Sequence, residues 1–235
     1  MSQNNVRAGC RDMWNAFMLE GASFTANDIP ICPCTAKEPP SELVSYEQAR
    51  LIYNQHRRNG VSDFFVNAFV HFYMDDYKFD GPVSGVWNAP RRSLDILSHF
   101  AGLITPDFST CADFPFPVKC YNTYRMRAYG YWYGTQGGSV INNVRWGTKE
   151  TFSYCFDGIP QESIVAIGVV ASGLKECHNR PVFEQGFYRM LDVLNPRTIV
   201  VYGSDKYHCF DVVRKHVNII AFPSETSMAF GRRKA

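Results

Sequence analysis

No stretch of the chain approaches ~18 consecutive apolar residues, the length of a membrane-spanning helix, so no span is expected. Charge of one sign is also missing. Its 24 Lys and Arg stand against 22 Asp and Glu, a net of +2 that is too small to draw nucleic acid by bulk electrostatics. The phosphate-loop motif and the spaced-glycine dinucleotide fingerprint are both absent. So is the nucleophile elbow, and no Ser/His/Asp or Cys/His order stands out. There is no internal repeat and no low-complexity linker.

The eight cysteines do not follow a zinc or disulfide pattern. Cys32-Pro33-Cys34 leaves one residue between its thiols, where zinc pairs use two to four and the redox motif two. Cys120, Cys155 and Cys209 fall in or beside apolar patterns, where free cysteine acts as a small hydrophobe. No charged-plus-apolar signal peptide opens the chain. The expectation is a reducing, cytoplasmic compartment.

What is present is a folded composition: 46% apolar, 20% charged and 15% aromatic over 235 residues. That suits one large domain, residues 61–235, preceded by an N-terminal extension over 1–60 that packs on it. The basic C-terminal GRRKA reads as a solvated end.

Fully apolar strands alternate with helices from about residue 62. Strands are expected at 67–74, 102–105, 139–144, 163–170 and 198–202, with weaker ones at 28–32 and 218–222. Helices are expected at Tyr46–Arg58 (capped by Ser41 or Ser45), 91–99, 118–134, 183–194 and 207–216. Continuous apolar strands joined by helices indicate βα units and a mainly parallel sheet covered on both faces. The predicted class is α/β. An incomplete or irregular TIM-like barrel is favoured, because polar clusters end nearly every strand. An open doubly wound sheet is the alternative.

In such folds ligands bind at the C-terminal ends of the strands. That rim would carry Asp75, Asp76, Asp107, Ser109, Arg145, Trp146, Ser172, Gly203 and Ser204. Asp75 and Asp76 alternate faces, so one can point to the rim centre while the other caps a turn. With Asp107 and Asp80 they suit a divalent cation, Mg²⁺ or Mn²⁺, or an acid/base pair. The bland alternative is loop capping and pairing with Arg125 or Arg127. Asn122 and Arg125 share a helix face, and a rim arginine is a natural phosphate clamp. It would equally well neutralise Asp107. Ser172-Gly173 and Gly203-Ser204 follow strands and would add phosphate donors, although both pairs are ordinary turn residues. His71, mid-strand, reads as a satisfied core histidine. Tyr121, Tyr124, Tyr129, Tyr131, Trp132 and Tyr133 crowd one helix, chiefly as core.

The motifs HFYMDDYKFD, WNAP, TPDFS, YNTYRMRAYGYW, VRWG, FDGIP and VYGS, in that order over about residues 62–205, resemble the uncharacterised bacterial and phage family called domain of unknown function 4417. The resemblance implies phage or mobile-element origin and location in the host cytoplasm. It implies no activity.

Three functions compete. The first is an enzyme, a hydrolase or phosphoester-acting type, working on a nucleotide or nucleic acid. Asp107 with Asp75 or Asp76 would be catalytic, and Arg125, Arg145, Asn122, Ser109, Ser172, Gly203 and Ser204 would bind ligand. The second is a non-catalytic binder that captures a nucleotide or a host protein, with Trp87 and Trp146 stacking on a base. The third is an interaction protein whose polar rim only caps loops.

Overall fold

The computed structural model describes residues 6–232. Seven parallel strands form one sheet in sequence order. They are β1 (Leu43–Ser45), β2 (Val66–His71), β3 (Phe100–Ile104), β4 (Val140–Asn143), β5 (Ile164–Gly168), β6 (Thr198–Tyr202) and β7 (Asn218–Phe222). The helices are α1 (Tyr46–Arg58), α2 (Pro90–Leu97), α3 (Phe116–Thr135), α4 (Arg180–Leu194), α5 (His208–Val213) and α6 (Glu225–Arg232). A sheet wound in one direction keeps its helices on one face, and it curls into a half-barrel. The last three residues of the basic tail lie outside the described residues.

Strand β1 and helix α1 fall within 43–58, so the sheet begins before residue 61. Ser45 is the helix cap: its hydroxyl accepts the Gln48 amide N–H at 3.3 Å. The expected strand at 28–32 does not form. Pro30 and Pro33 lack donors, Asp28 takes φ 56°, and only an isolated antiparallel bridge joins Phe24 to Pro30. The seventh strand is β1 instead. Its three residues directly precede a helix cap and are too few to show a period.

Alternation sorts each strand into two faces. Val165, Ile167, Ile199 and Val201 point outward against Phe183, Phe187 and Met190 of α4 and Phe210 of α5. Phe69, Ile104, Ile141, Ile164, Ala166 and Val200 fill the concave interior. Glycines on that face match large rings on β2 and just past its end. A Cβ on Gly102 would lie 2.6 Å from the Phe69 ring, and one on Gly168 2.6 Å from Tyr73.

Helix α3 is aromatic all round because both of its sides are covered. Met126 and Tyr129 face the core. On the other side the hydroxyls of Tyr121, Tyr124 and Tyr131 donate to the carbonyls of Met13, Trp14 and Glu20, tying the N-terminal arm along the helix. The arm then passes Cys32, whose amide donates to Gly158 O, and reaches the N-terminal ends of the strands. There Thr35 accepts from Val140 N at 2.8 Å. The opposite rim carries most of the polar residues.

Candidate functional site at the strand ends

Asp107 sits three residues past β3 and is 9% exposed. Its Oδ1 accepts Asn143 Nδ2 at 2.7 Å and its Oδ2 accepts Arg145 Nη1 at 2.5 Å. Asn143 ends β4 on the concave face, and its Oδ1 accepts the Tyr73 hydroxyl at 3.0 Å. A polar chain therefore runs Tyr73, Asn143, Asp107, Arg145 from the barrel interior to the rim. Burial raises the Asp107 pKa, Arg145 and Asn143 oppose that, and the Asp76 carboxylate adds to it. The Arg145 pKa is raised, chiefly by Asp107. Burial also drives the Tyr73 phenol well above its ordinary value, so it is a donor here.

Of the adjacent acids, Asp76 turns toward this cluster. Its carboxylate accepts the Ser109 hydroxyl at 2.8 Å and the Ser109 amide at 3.1 Å. Asp75 is exposed and precedes a 3-10 turn without capping it through its side chain. Ser109 links two clusters, because its carbonyl accepts from Asn122 Nδ2 at 2.5 Å.

The second cluster is built around Arg125. Its guanidinium pairs with Asp80 at 2.6 Å, donates to Asn122 Oδ1 at 2.6 Å and 3.1 Å, and stacks 3.9 Å from the Phe108 ring centroid. The arginine that neutralises Asp107 is thus Arg145, and Arg125 is committed to Asp80. Arg127 is fully buried. It donates to the carbonyls of Asp157 (3.0 Å), Asn143 (3.0 Å) and Cys155 (3.2 Å). One of those bonds holds the backbone of the residue that orients Asp107.

Trp146 stands apart from the cluster. It packs 5.1 Å from Phe183, and a Cβ on Gly186 of α4 would lie 2.1 Å from its ring. Trp87 is buried, with its indole N–H on the Tyr121 hydroxyl. Ser172 donates to Val169 O within its own turn, and Ser204 accepts the Lys206 amide. Gly203 has φ 119°, and a Cβ there would lie 2.7 Å from Val169, which explains the glycine by shape alone.

Residues outside the expected set complete the mouth. His71 and Tyr73 of the β2 segment meet Tyr202 of β6 across the interior, with ring centroids 4.3 Å and 5.1 Å away. His71 Nδ1 accepts the Tyr73 amide at 3.2 Å, which leaves the proton on Nε2. Burial lowers its pKa to about 3. Asn143 had a visible signal: two amides, Asn142 and Asn143, end an apolar strand, and buried amides demand partners.

Of the four acids expected on the rim, Asp75 is exposed and Asp80 pairs with Arg125. Among the described residues no three His, Cys, Asp or Glu side chains gather in a metal-binding group. Both oxygens of Asp76 and both of Asp107 already accept protein donors. All eight cysteines are free, and no helix among the described residues is long and apolar enough to cross a membrane.

Together these features define a parallel α/β half-barrel with a polar cluster on its C-terminal rim. The family described as "Domain of unknown function (DUF4417)" matches residues 23–223, and the chain belongs to it. The chain is 35% identical over 144 residues to the "Gene 1 protein" of Mycobacterium phage D29 and 34% over 144 residues to that of Mycobacterium phage L5. Each match covers 61% of this chain, and 51% and 60% of the respective relative, so the chain spans about half to three fifths of their length. No solved structure matches.

Proposed function

We propose that this protein binds a phosphate-bearing ligand, a nucleotide or a nucleic-acid strand, at the C-terminal rim, with Arg145 as the phosphate contact. One observation carries the reading. The Arg145 guanidinium is held at Nη1 by a buried, oriented carboxylate, while its other donors have no protein partner among the described residues. An arginine fixed by one edge offers the rest of its planar fork to an oxyanion. Asn143 and Tyr73 hold Asp107 and so set the direction of that fork. Phage origin, suggested by the relatives, fits a ligand abundant in the host cytoplasm.

A second reading, a phosphoester-acting enzyme, is favoured by the raised Asp107 pKa beside Asp76. A buried carboxylate with a raised pKa, set beside a second carboxylate, is suited to acid/base work. In that reading a ligand phosphate takes Arg145, and Asp107 then exchanges a proton with the substrate.

Titration of wild type and Arg145→Gln with nucleotides and short oligonucleotides tests the first reading. Equal affinities in the two proteins overturn it. Recovery of a chemically altered ligand, lost in Asp107→Asn, distinguishes the enzyme from the binder.

A further inference from the structure

A second positively charged site lies away from the rim, on the outer face of the sheet between α1 and α2. Arg50 and Arg57 are one stripe of α1, seven positions or about 10 Å apart along the axis, and Arg92 faces them from α2. All three line a cleft of about 130 Å³ together with Tyr46, Ser84 and Asp95. At about 30 Å³ per water, that volume holds a small anion.

The three arginines lack counter-ions. Among the described residues no carboxylate approaches any of their guanidinium nitrogens within 4.0 Å, although Asp95 shares the cleft. The nearby acid on α1, Glu47, is taken by Lys78 at 3.3 Å. Arg57 makes one side-chain contact of this kind, a 3.4 Å hydrogen bond to the Tyr53 hydroxyl.

A second observation comes from the cleft wall. Tyr46 is 3% exposed as a residue, and its hydroxyl, without a protein hydrogen bond among the described residues, is open to the cleft it lines. Burial raises its pKa, and the charges of Arg50 and Arg92, which line the same cleft, pull the other way. That hydroxyl is therefore a free donor at the cleft wall.

We propose that the α1–α2 cleft binds a phosphate group, with Arg50 and Arg92 as charge-assisted donors, the Tyr46 hydroxyl as a third donor and Arg57 at the cleft's outer end. Tetrahedral oxyanions accept several such donors at once, and arginine is the side chain best matched to them. The site is independent of the rim and does not rest on the rim reading. The phosphate has two natural sources, a free phosphate or mononucleotide and the backbone of a nucleic-acid strand.

The test is calorimetric titration of the full chain with inorganic phosphate at constant ionic strength. Saturable binding that persists in Arg145→Gln and weakens on the order of a hundredfold in the Arg50→Gln/Arg92→Gln double variant supports the site, the loss expected for two charge-assisted bonds. Tyr46→Phe keeps the ring and packing and should weaken phosphate several-fold, so a double variant that misfolds leaves the proposal testable. Unchanged affinity in both altered proteins, or no saturable phosphate binding by Arg145→Gln, overturns it. A single-stranded oligonucleotide then identifies the source. Binding that is lost in the double variant and falls steeply with salt assigns the cleft to a nucleic-acid backbone. Phosphate binding without oligonucleotide binding assigns it to a small anion.

Discussion

Tyr73 and Asn143 are 70 positions apart in the chain and share a 3.0 Å hydrogen bond across the concave face. The bond joins the end of the β2 segment to the end of β4 and completes the set of partners that aims Asp107. Tyr73→Phe should leave Asn143 Oδ1 without a donor and lower stability by about 1–3 kcal/mol, read by urea unfolding. It should also weaken ligand at the rim, because Asn143 is then free to turn.

Asp107 carries a pH signature. Its folded pKa is raised, so the protonated form is favoured in the native state. Its contribution to stability is greatest below the ordinary carboxylate value of 3.8 and is lost as pH rises through the raised folded value. Asp107→Asn should flatten that limb of a stability–pH curve and leave Arg145 without its partner, weakening rim binding. A curve identical to wild type contradicts the assignment.

His71 behaves in the opposite sense. With a folded pKa of about 3 against an ordinary 6.5, it stabilises fully above 6.5, and the contribution is lost as pH falls toward 3. The full loss is on the order of 5 kcal/mol. The ring resonances of His71 should not titrate between pH 5 and 8 by NMR, and His71→Gln should make the acid limb shallower.

Arg127 is buried without a carboxylate partner and bonds three backbone carbonyls. Its pKa falls to about 10, driven by burial. Arg127→Met leaves those carbonyls unpaired and should cost about 3–5 kcal/mol. Arg127→Lys should not restore it, since one ammonium cannot span the planar fork's three acceptors. Thermal melts of both variants decide this.

Gly186→Ala should push Trp146 off α4. The new Cβ would lie 2.1 Å from the indole, and overpacking of this kind costs about 1–3 kcal/mol. Trp146 fluorescence should shift together with the midpoint of unfolding.

The βα order was legible because buried parallel strands read as continuous apolar runs: Ile164–Gly168 and Thr198–Tyr202 are almost wholly side chains that shun water. Strand β1 was not, since Leu43–Ser45 is too short for a period and merges into a helix cap. At the rim, strand-end placement picked out Asp76, Asp107, Ser109 and Arg145, which do come together. It could not tell which arginine meets which acid. That depends on how α3, which carries Arg125, and the segment past β4, which carries Arg145, are placed against the acids in the folded chain.

The amino-acid sequence by itself determined the alternation of strand and helix, the parallel sheet and the concentration of polar groups past the strand ends, because all three follow from local periodicity and burial. The curl of the sheet is a tertiary matter. It brings Tyr202 of β6 against His71 and Tyr73, and it needs Gly102 and Gly168 opposite large rings. Only the folded chain decided that Asp107 belongs to Arg145 and Arg125 to Asp80, and that α1 and α2 bring three unpaired arginines into one cleft. Those pairings join residues far apart in sequence, and no local pattern encodes them.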